Sequence, residues 1–287
     1  MGKILKVGLL LFVIGLIGTV TLLFSGVGFA DNKVIEKQTL IGNGLKKVSI
    51  HSDLADVIIH PANDDEVKME LTGSTTQKLK TTFQPSDDGE TLNISVKQKD
   101  KFFFNINFDF MNSNDVNLNV YLPQKYYDSL GISTNLGDIS TDYKLTAKNA
   151  IIKTEMGDVQ LDGFEGEKII GKTALGEIEI KELNAAFDIQ SEKGDVNLQS
   201  VLSFSNENKI KTALGDVEVG ITEDPEGLAL DLSTELGDIE SDTFITDAIK
   251  SSGDAISNKL KGQYGKNIKD GPSLTIKAEM GDITLKK

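Results

Sequence analysis

Gly followed by an acid and then Ile or Val recurs down the second half of this chain at a nearly fixed interval. The copies are Gly137-Asp138-Ile139, Gly157-Asp158-Val159, Gly176-Glu177-Ile178, Gly194-Asp195-Val196, Gly215-Asp216-Val217, Gly237-Asp238-Ile239 and Gly281-Asp282-Ile283. Successive glycines are 20, 19, 18, 21, 22 and 44 residues apart, and the last interval is twice 22. Three residues before each Gly stands Thr134, Thr154, Thr173, Ser191, Thr212, Thr234 or Ala278. Five before stands Ile132, Ile152, Gly171, Ile189, Ile210, Leu232 or Ile276, and four after stands Thr141, Leu161, Ile180, Leu198, Val219, Ser241 or Leu285.

The unit therefore reads apolar-x-Thr-x-apolar-Gly-Asp-Ile-x-apolar. It alternates with period two on either side of Gly-Asp, which is the periodicity of a strand. The phase slips at Gly-Asp, as it does at a corner or bulge, and Gly suits a corner because it tolerates positive φ. A unit of about twenty residues cannot bury its own apolar face, but stacked copies bury a continuous one. The expected fold is all-β, a parallel β-solenoid of ~20-residue coils spaced ~4.8 Å apart. An up-and-down antiparallel sheet is the alternative, but it needs regular tight turns that the repeat does not supply.

An earlier copy lies at 48–59, with Ala55 in the Gly place, 82 residues before Gly137. That distance is close to four repeats, so residues 45–130 read as divergent coils and 131–287 as regular ones. From Ala55 to Gly281 this makes about eleven coils and a stack of roughly 53 Å. Strands are expected at 66–72, 91–97 and 116–122, with a turn at Pro85 to Gly89. Two segments break the pattern. Residues 101–111 hold Phe102, Phe103, Phe104, Phe108 and Phe110, either a cap with an inward-facing strand or an exposed aromatic contact. Residues 245–261 read equally as a short amphipathic helix or a divergent coil, and 262–272 as a loop.

The run of [Thr/Ser]-x-x-Gly-Asp-[Ile/Val] copies resembles a bacterial β-strand-repeat family of putative adhesins of unknown function. The resemblance covers roughly residues 45–287. It implies the solenoid fold and carries over no catalytic residues. An N-terminal anchor followed by such a solenoid is similar to tethered members in the Firmicutes, whose operon responds to cell-envelope stress. That similarity implies a role in envelope stress or maintenance.

Residues 7–30 are 24 uncharged, mostly apolar residues, long enough for a transmembrane helix. Lys3 and Lys6 precede them, which places residues 1–6 in the cytoplasm and 31–287 outside, with 31–44 as a tether. Gly28-Phe29-Ala30 would also suit signal-peptide cleavage after Ala30. The expected location is the cell membrane, single-pass, with the membrane itself and a membrane or cell-wall component as partners. The exported part carries 28 Lys against 44 acids, and the whole chain contains no Arg, Cys or Trp. An acidic chain without Arg argues against nucleic-acid binding, and the lack of Cys removes thiol chemistry and Cys-ligated zinc.

No nucleophile-elbow, zinc-protease, phosphate-loop or dinucleotide motif is present. His51 and His60, nine residues apart, read as surface residues rather than ligands. No cofactor, metal or catalytic residue is expected. A glycan-active β-helix enzyme remains the distant alternative, because carboxylates repeated in every coil read as structure rather than as a catalytic pair. The glycines 137, 157, 176, 194, 215, 237 and 281 are expected to form the repeat corners. The acids Asp138, Asp158, Glu177, Asp195, Asp216, Asp238 and Asp282 are expected to form a column accepting backbone N–H bonds, with a cation-binding stripe as the alternative. Lys153, Lys172, Lys211 and Lys277 would soften its repulsion. The Thr column is expected to stack as a mutually bonded hydroxyl ladder. The leading function is a non-catalytic scaffold or binding module, and an adhesin-like binder of an extracellular polymer comes second.

Overall fold

The computed structural model describes residues 32–75, 77–99, 115–205, 207–242, 245–252, 257–266 and 271–287. The expected anchor 7–30 and the aromatic segment 101–111 lie outside the described residues. The compact unit runs from Lys33 to Lys287. Among the described residues there is no helix, and therefore none long and apolar enough to cross a membrane.

The first strands are β1 (Asn32–Ile41), β2 (Lys47–Ser52), β3 (Asp56–Ala62), β4 (Glu66–Thr75), β5 (Leu79–Pro85), β6 (Thr91–Gln98) and β7 (Asp115–Pro123). The repeats follow as strand pairs: β8 (Tyr127–Leu136) and β9 (Ile139–Thr141), β10 (Lys144–Met156) and β11 (Val159–Leu161), β12 (Gly163–Leu175) and β13 (Ile178–Ile180), β14 (Leu183–Lys193) and β15 (Val196–Ser203), β16 (Glu207–Leu214) and β17 (Val217–Ile221), β18 (Gly227–Leu236) and β19 (Ile239–Ser241). Last come β20 (Ile245–Ser252), β21 (Asn258–Gly265), β22 (Ser273–Met280) and β23 (Ile283–Lys286).

In each repeat one strand runs into the Gly corner and the next runs out of it. The strands entering the corner form one parallel ladder in the order β6, β2, β8, β10, β12, β14, β16, β22, β18. Those leaving it form a second ladder in the order β7, β3, β9, β11, β13, β15, β17, β23, β19. Nine coil levels result, about 38 Å of stack at the usual strand spacing. The solenoid is parallel through its body, and antiparallel pairing is confined to the ends. There β5 pairs with β6, β4 with β7, and β18 with β21, which in turn pairs with β20. These end strands occupy backbone groups that a bare parallel edge would offer to another chain.

The stack does not follow the sequence. The Ala55 coil lies directly on the Gly137 coil, although 82 residues separate them. The intervening chain is therefore not four stacked coils. It supplies the coil level β6–β7 and the antiparallel strands β4 and β5. Of the two readings of the 44-residue interval, a degenerate copy or an insertion, the second holds, because the chain folds out into the antiparallel pair β20–β21. The final coil, β22–β23, then inserts between the Gly215 and Gly237 coils. The eleven-coil, 53 Å estimate fails because it assumed that sequence order is stacking order.

Other expectations fare unevenly. The strands at 66–72, 91–97 and 116–122 are β4, β6 and β7, and the turn closes with the Gly89 amide donating to the Ser86 carbonyl at 2.9 Å. Residues 245–252 are strand rather than helix, and β21 reaches Gly265 into the expected loop. The tether is mostly strand, since β1 pairs with β4. Between the two ladders lies the core. Ile132, Ile152, Ile189, Ile210, Leu232 and Ile276 face Ile139, Val159, Ile178, Val196, Val217 and Ile283, all buried. Gly171 breaks the first row because Ile189 Cδ1 fills its place, 2.9 Å from where a Cβ would stand.

The phase slip is wider than the repeat suggested. Inward direction is lost after the residue three before Gly and regained two after it. The apolar residue immediately before Gly therefore points outward, and Leu136, Met156, Leu175, Leu214, Leu236 and Met280 are 37–47% exposed. At the corner itself Gly157 has φ 144 and Gly215 has φ 147. A Cβ on Gly215 would stand 2.3 Å from the Gly194 carbonyl oxygen of the coil below. Strain at such φ costs about 1–3 kcal/mol before that clash is counted. Gly215→Val is expected to lose at least that much in a chemical-denaturation measurement, whereas Lys209→Ala on the outer face changes stability by less than about 1 kcal/mol.

Candidate functional site: the corner column

Each corner is bonded to its neighbours along three parallel lines. The Gly amides donate across coils to the carbonyl of the residue before the next Gly, as from Gly157 to Leu175 at 2.9 Å and from Gly176 to Lys193 at 2.9 Å. The Thr hydroxyls do not bond one another. They donate to the Gly-place carbonyl of the coil below: Thr134 to Ala55 (3.2 Å), Thr154 to Gly137 (3.1 Å), Thr173 to Gly157 (3.2 Å) and Thr234 to Gly281 (2.9 Å). Coil spacing brings each hydroxyl nearer to that carbonyl than to its counterparts, so the expected hydroxyl ladder is replaced by a hydroxyl-to-carbonyl one.

The third line is the acid column. Oδ1 of Asp56 accepts the Asp138 amide at 2.9 Å, Asp138 that of Asp158 at 2.8 Å, and Asp158 that of Glu177 at 2.8 Å. Asp195 accepts from Asp216 at 2.7 Å, Asp216 from Asp282 and Asp282 from Asp238, both at 2.8 Å. Asn258 of β21 closes the far end, donating to the Gly237 carbonyl at 2.8 Å and to Asp238 at 3.3 Å. Carboxylates about 5 Å apart repel by about 0.8 kcal/mol in water before screening. An amide bond to a charged acceptor is worth about 1.5–3 kcal/mol, so each link gains more than its repulsion loses. Asp56 differs in its surroundings. Burial pushes its carboxyl above the usual range, assisted by the charges of Asp138 and Asp115 and opposed by the Asp138 amide.

The lysines four before Gly form no ion pair with this column among the described residues; Lys211 reaches Glu279 instead, at 4.0 Å. Among the described residues no group of three or more His, Asp or Glu is arranged to hold a metal ion. Beside the corner, the outer face of the entering ladder carries a groove of about 330 Å³ lined by His51, Lys153, Glu155, Lys172 and Glu192 among others.

The two histidines lie on different ladders. His51 contacts Ser133 Oγ at 3.0 Å and Asp53 Oδ1 at 3.2 Å. His60 links β3 to β7 and to the bend after β9: Nδ1 faces Asp142 Oδ2 at 2.8 Å, Nε2 faces Asn119 Oδ1 at 2.9 Å, and the ring stacks on Tyr121 at 4.8 Å. A carboxylate oxygen at one ring nitrogen and an amide oxygen at the other both favour the protonated ring. Burial lowers its pKa, but the bonds to Asn119 and Asp142 outweigh that and raise it.

Sequence reading missed the hydroxyl-to-carbonyl line, the His60 clamp and the outward Leu/Met row. The last had a signal, since a Leu or Met precedes six of the seven glycines.

The Toastrack DUF4097 family matches residues 45–286, and the chain belongs to that family. No curated protein matches it. Three solved structures are similar. A putative cell adhesion protein from Clostridium sporogenes is 16% identical, covers 89% of this chain and 99% of its own, and has a TM-score of 0.39. A putative adhesin from Bacteroides fragilis is 12% identical over 88% and 98%, with a TM-score of 0.42. A putative lipid binding protein from Parabacteroides distasonis is 16% identical over 90% and 98%, with a TM-score of 0.42. At these scores the likeness supports no detail.

Two places in the lines are incomplete. Among the described residues, Glu177 is the member between Asp138 and Asp282 that accepts no amide from the next coil, and Ala278 has no hydroxyl to offer Gly215. Glu177→Asp and Ala278→Thr are each expected to stabilise the chain by about 0.5–1.5 kcal/mol in urea unfolding. The His60 clamp sets a pH dependence. Its folded pKa is raised, so its stabilisation is full below the ordinary value of 6.5 and is lost as pH rises through the folded value. Stability compared at pH 5.5 and 8.5 should fall across that window, and His60→Gln should remove this part of the fall.

Proposed function

We propose that the chain is a non-catalytic, membrane-anchored extracytoplasmic scaffold that binds another component of the bacterial envelope. The observation that carries this reading is the use of the repeated polar groups. Thr and Asp of most corners bond the neighbouring coil instead of converging on a point where a reacting atom could sit. Such a stack offers a long, stiff surface, which suits binding. The anchor at 7–30 and the cytoplasmic placement of 1–6 rest on the uncharged span and on Lys3 and Lys6. With β1 already paired at Asn32–Ile41, little free chain remains between that span and the fold. This favours a partner in the membrane or the inner wall over a distant polymer. The envelope-stress assignment rests on the similarity of anchor plus solenoid to LiaG of the Firmicutes.

The expected outcome in cells is a protein that sediments with membranes and loses residues 31–287 to protease added to spheroplasts. A soluble chain beginning at Asp31 would overturn the anchor. Cross-linking in living cells should capture a membrane or wall component. Capture of an external polymer instead would favour the adhesin-like reading.

A further inference from the structure

The row of outward residues before each Gly is used neither by the core nor by the bonding between coils. Register places them in one line: Leu136, Met156, Leu175, Lys193, Leu214, Met280, Leu236. Seven places at the coil spacing make a ridge about 29 Å long. The corner does not require an apolar side chain there. Lys193 occupies the same place, its carbonyl accepts the Gly176 amide at 2.9 Å as Leu175 accepts that of Gly157, and Gly194 keeps φ 139. Six half-exposed Leu and Met in one line, broken only by Lys193, are thus a surplus of apolar surface that the fold does not explain.

Charge says what the ridge fits. On one side runs the acid column, whose Oδ1 atoms are mostly tied to amides while the outer oxygens face solvent. On the other side, two places before Gly, Glu155, Glu192, Glu279 and Glu235 are interspersed with Asn135, Ala174 and Ala213, and beyond them on the same face, four before Gly, stand Lys153, Lys172, Lys211 and Lys277. Among the described residues only Glu279 of these glutamates has an ion-pair partner, Lys211. The unbroken acid column along one flank of the ridge repels an anionic lipid surface. It also repels a second copy of itself, which would oppose acid to acid.

We propose that this ridge docks a basic amphipathic helix of a partner protein, its apolar stripe on the Leu/Met row and its Lys or Arg side chains on the acid column beside that row. The dimensions agree. A helix of about 20 residues spans the 29 Å, its body is about 10 Å wide, and its 5.4 Å pitch is close to the coil spacing. The proposal rests on the binding reading above and gives it a partner chemistry.

The test uses the full chain in zwitterionic nanodiscs and a 20-residue Leu/Lys peptide with helical periodicity, carrying a photo-cross-linking group at its centre. Cross-links are expected at the ridge, around Leu175 and Leu214, and should weaken as salt is raised. A scrambled peptide of equal charge should give at least tenfold less. The double variant L175K/L214K should lose the cross-link at least tenfold with an unchanged melting temperature, as Lys193 already shows that the corner accepts Lys. Cross-links scattered over the surface, equal yield from the scrambled peptide, or indifference to the double variant would overturn the proposal. So would binding of the wild-type chain, lost in the double variant, to anionic vesicles or to a second copy. Failure here beside capture of an envelope component in cells would leave the scaffold reading standing. Failure of that capture beside a ridge cross-link would sink the scaffold reading alone.

Discussion

Everything in this molecule depends on how closely one corner can approach the next. The glycine column allows that approach, because the carbonyl oxygen of the coil below occupies the space a Cβ would fill, as at Gly157, where a Cβ would stand 2.1 Å from the Gly137 carbonyl oxygen. Once the coils are that near, three sets of donors and acceptors meet: amide to carbonyl, hydroxyl to carbonyl, and carboxylate to amide. The carboxylate line is the least intuitive, since it stacks like charges. It persists because most of these charges are held by an amide in the adjoining coil, and a hydrogen bond to a carboxylate is worth more than the screened repulsion of its neighbour. Above and below the corner, the same spacing sets the register in which the Ile and Val rows close the core.

That short-range rule is met by long-range contacts. The coil at Ala55 finds its neighbour at Gly137, and the last coil, at Gly281, enters between two coils made 66 and 44 residues earlier. The stack is therefore not complete until both ends of the chain have docked. Such topologies close large loops before most of their contacts form, which slows folding relative to a stack assembled in chain order. The antiparallel strands at the two ends belong to the excursions that make this order possible. They also cover backbone edges that would otherwise recruit another chain.

The chemistry follows from the same economy. Corner side chains facing the next coil are committed to it, whereas those facing outward form rows repeated at the coil spacing. A surface built of such rows distinguishes partners by shape and charge along a line rather than by a single pocket. It matches the non-catalytic binding role argued for this Toastrack family member.

The sequence alone determined the coil. Period-two alternation, the Gly corner and the acid after it recur too regularly for any fold but a stack, because a unit of about twenty residues can bury its apolar face only against copies of itself. It also located β4, β6 and β7 by their alternation. It could not determine the order of the stack. All coils present the same edge, so Ala55 could dock on any of them by pattern, and only side-chain fit in three dimensions selects Gly137. The direction of the residue before Gly was hidden for a related reason. Leu and Met there read as core by type, and only the width of the turn, four residues between the one three before Gly and the one two after it, swings them outward. Residues 245–261, read equally as a short helix or a divergent coil, are neither, because spacing in a short segment is weak beside the pull of an open edge on β18, which takes β21 and then β20 as antiparallel strands.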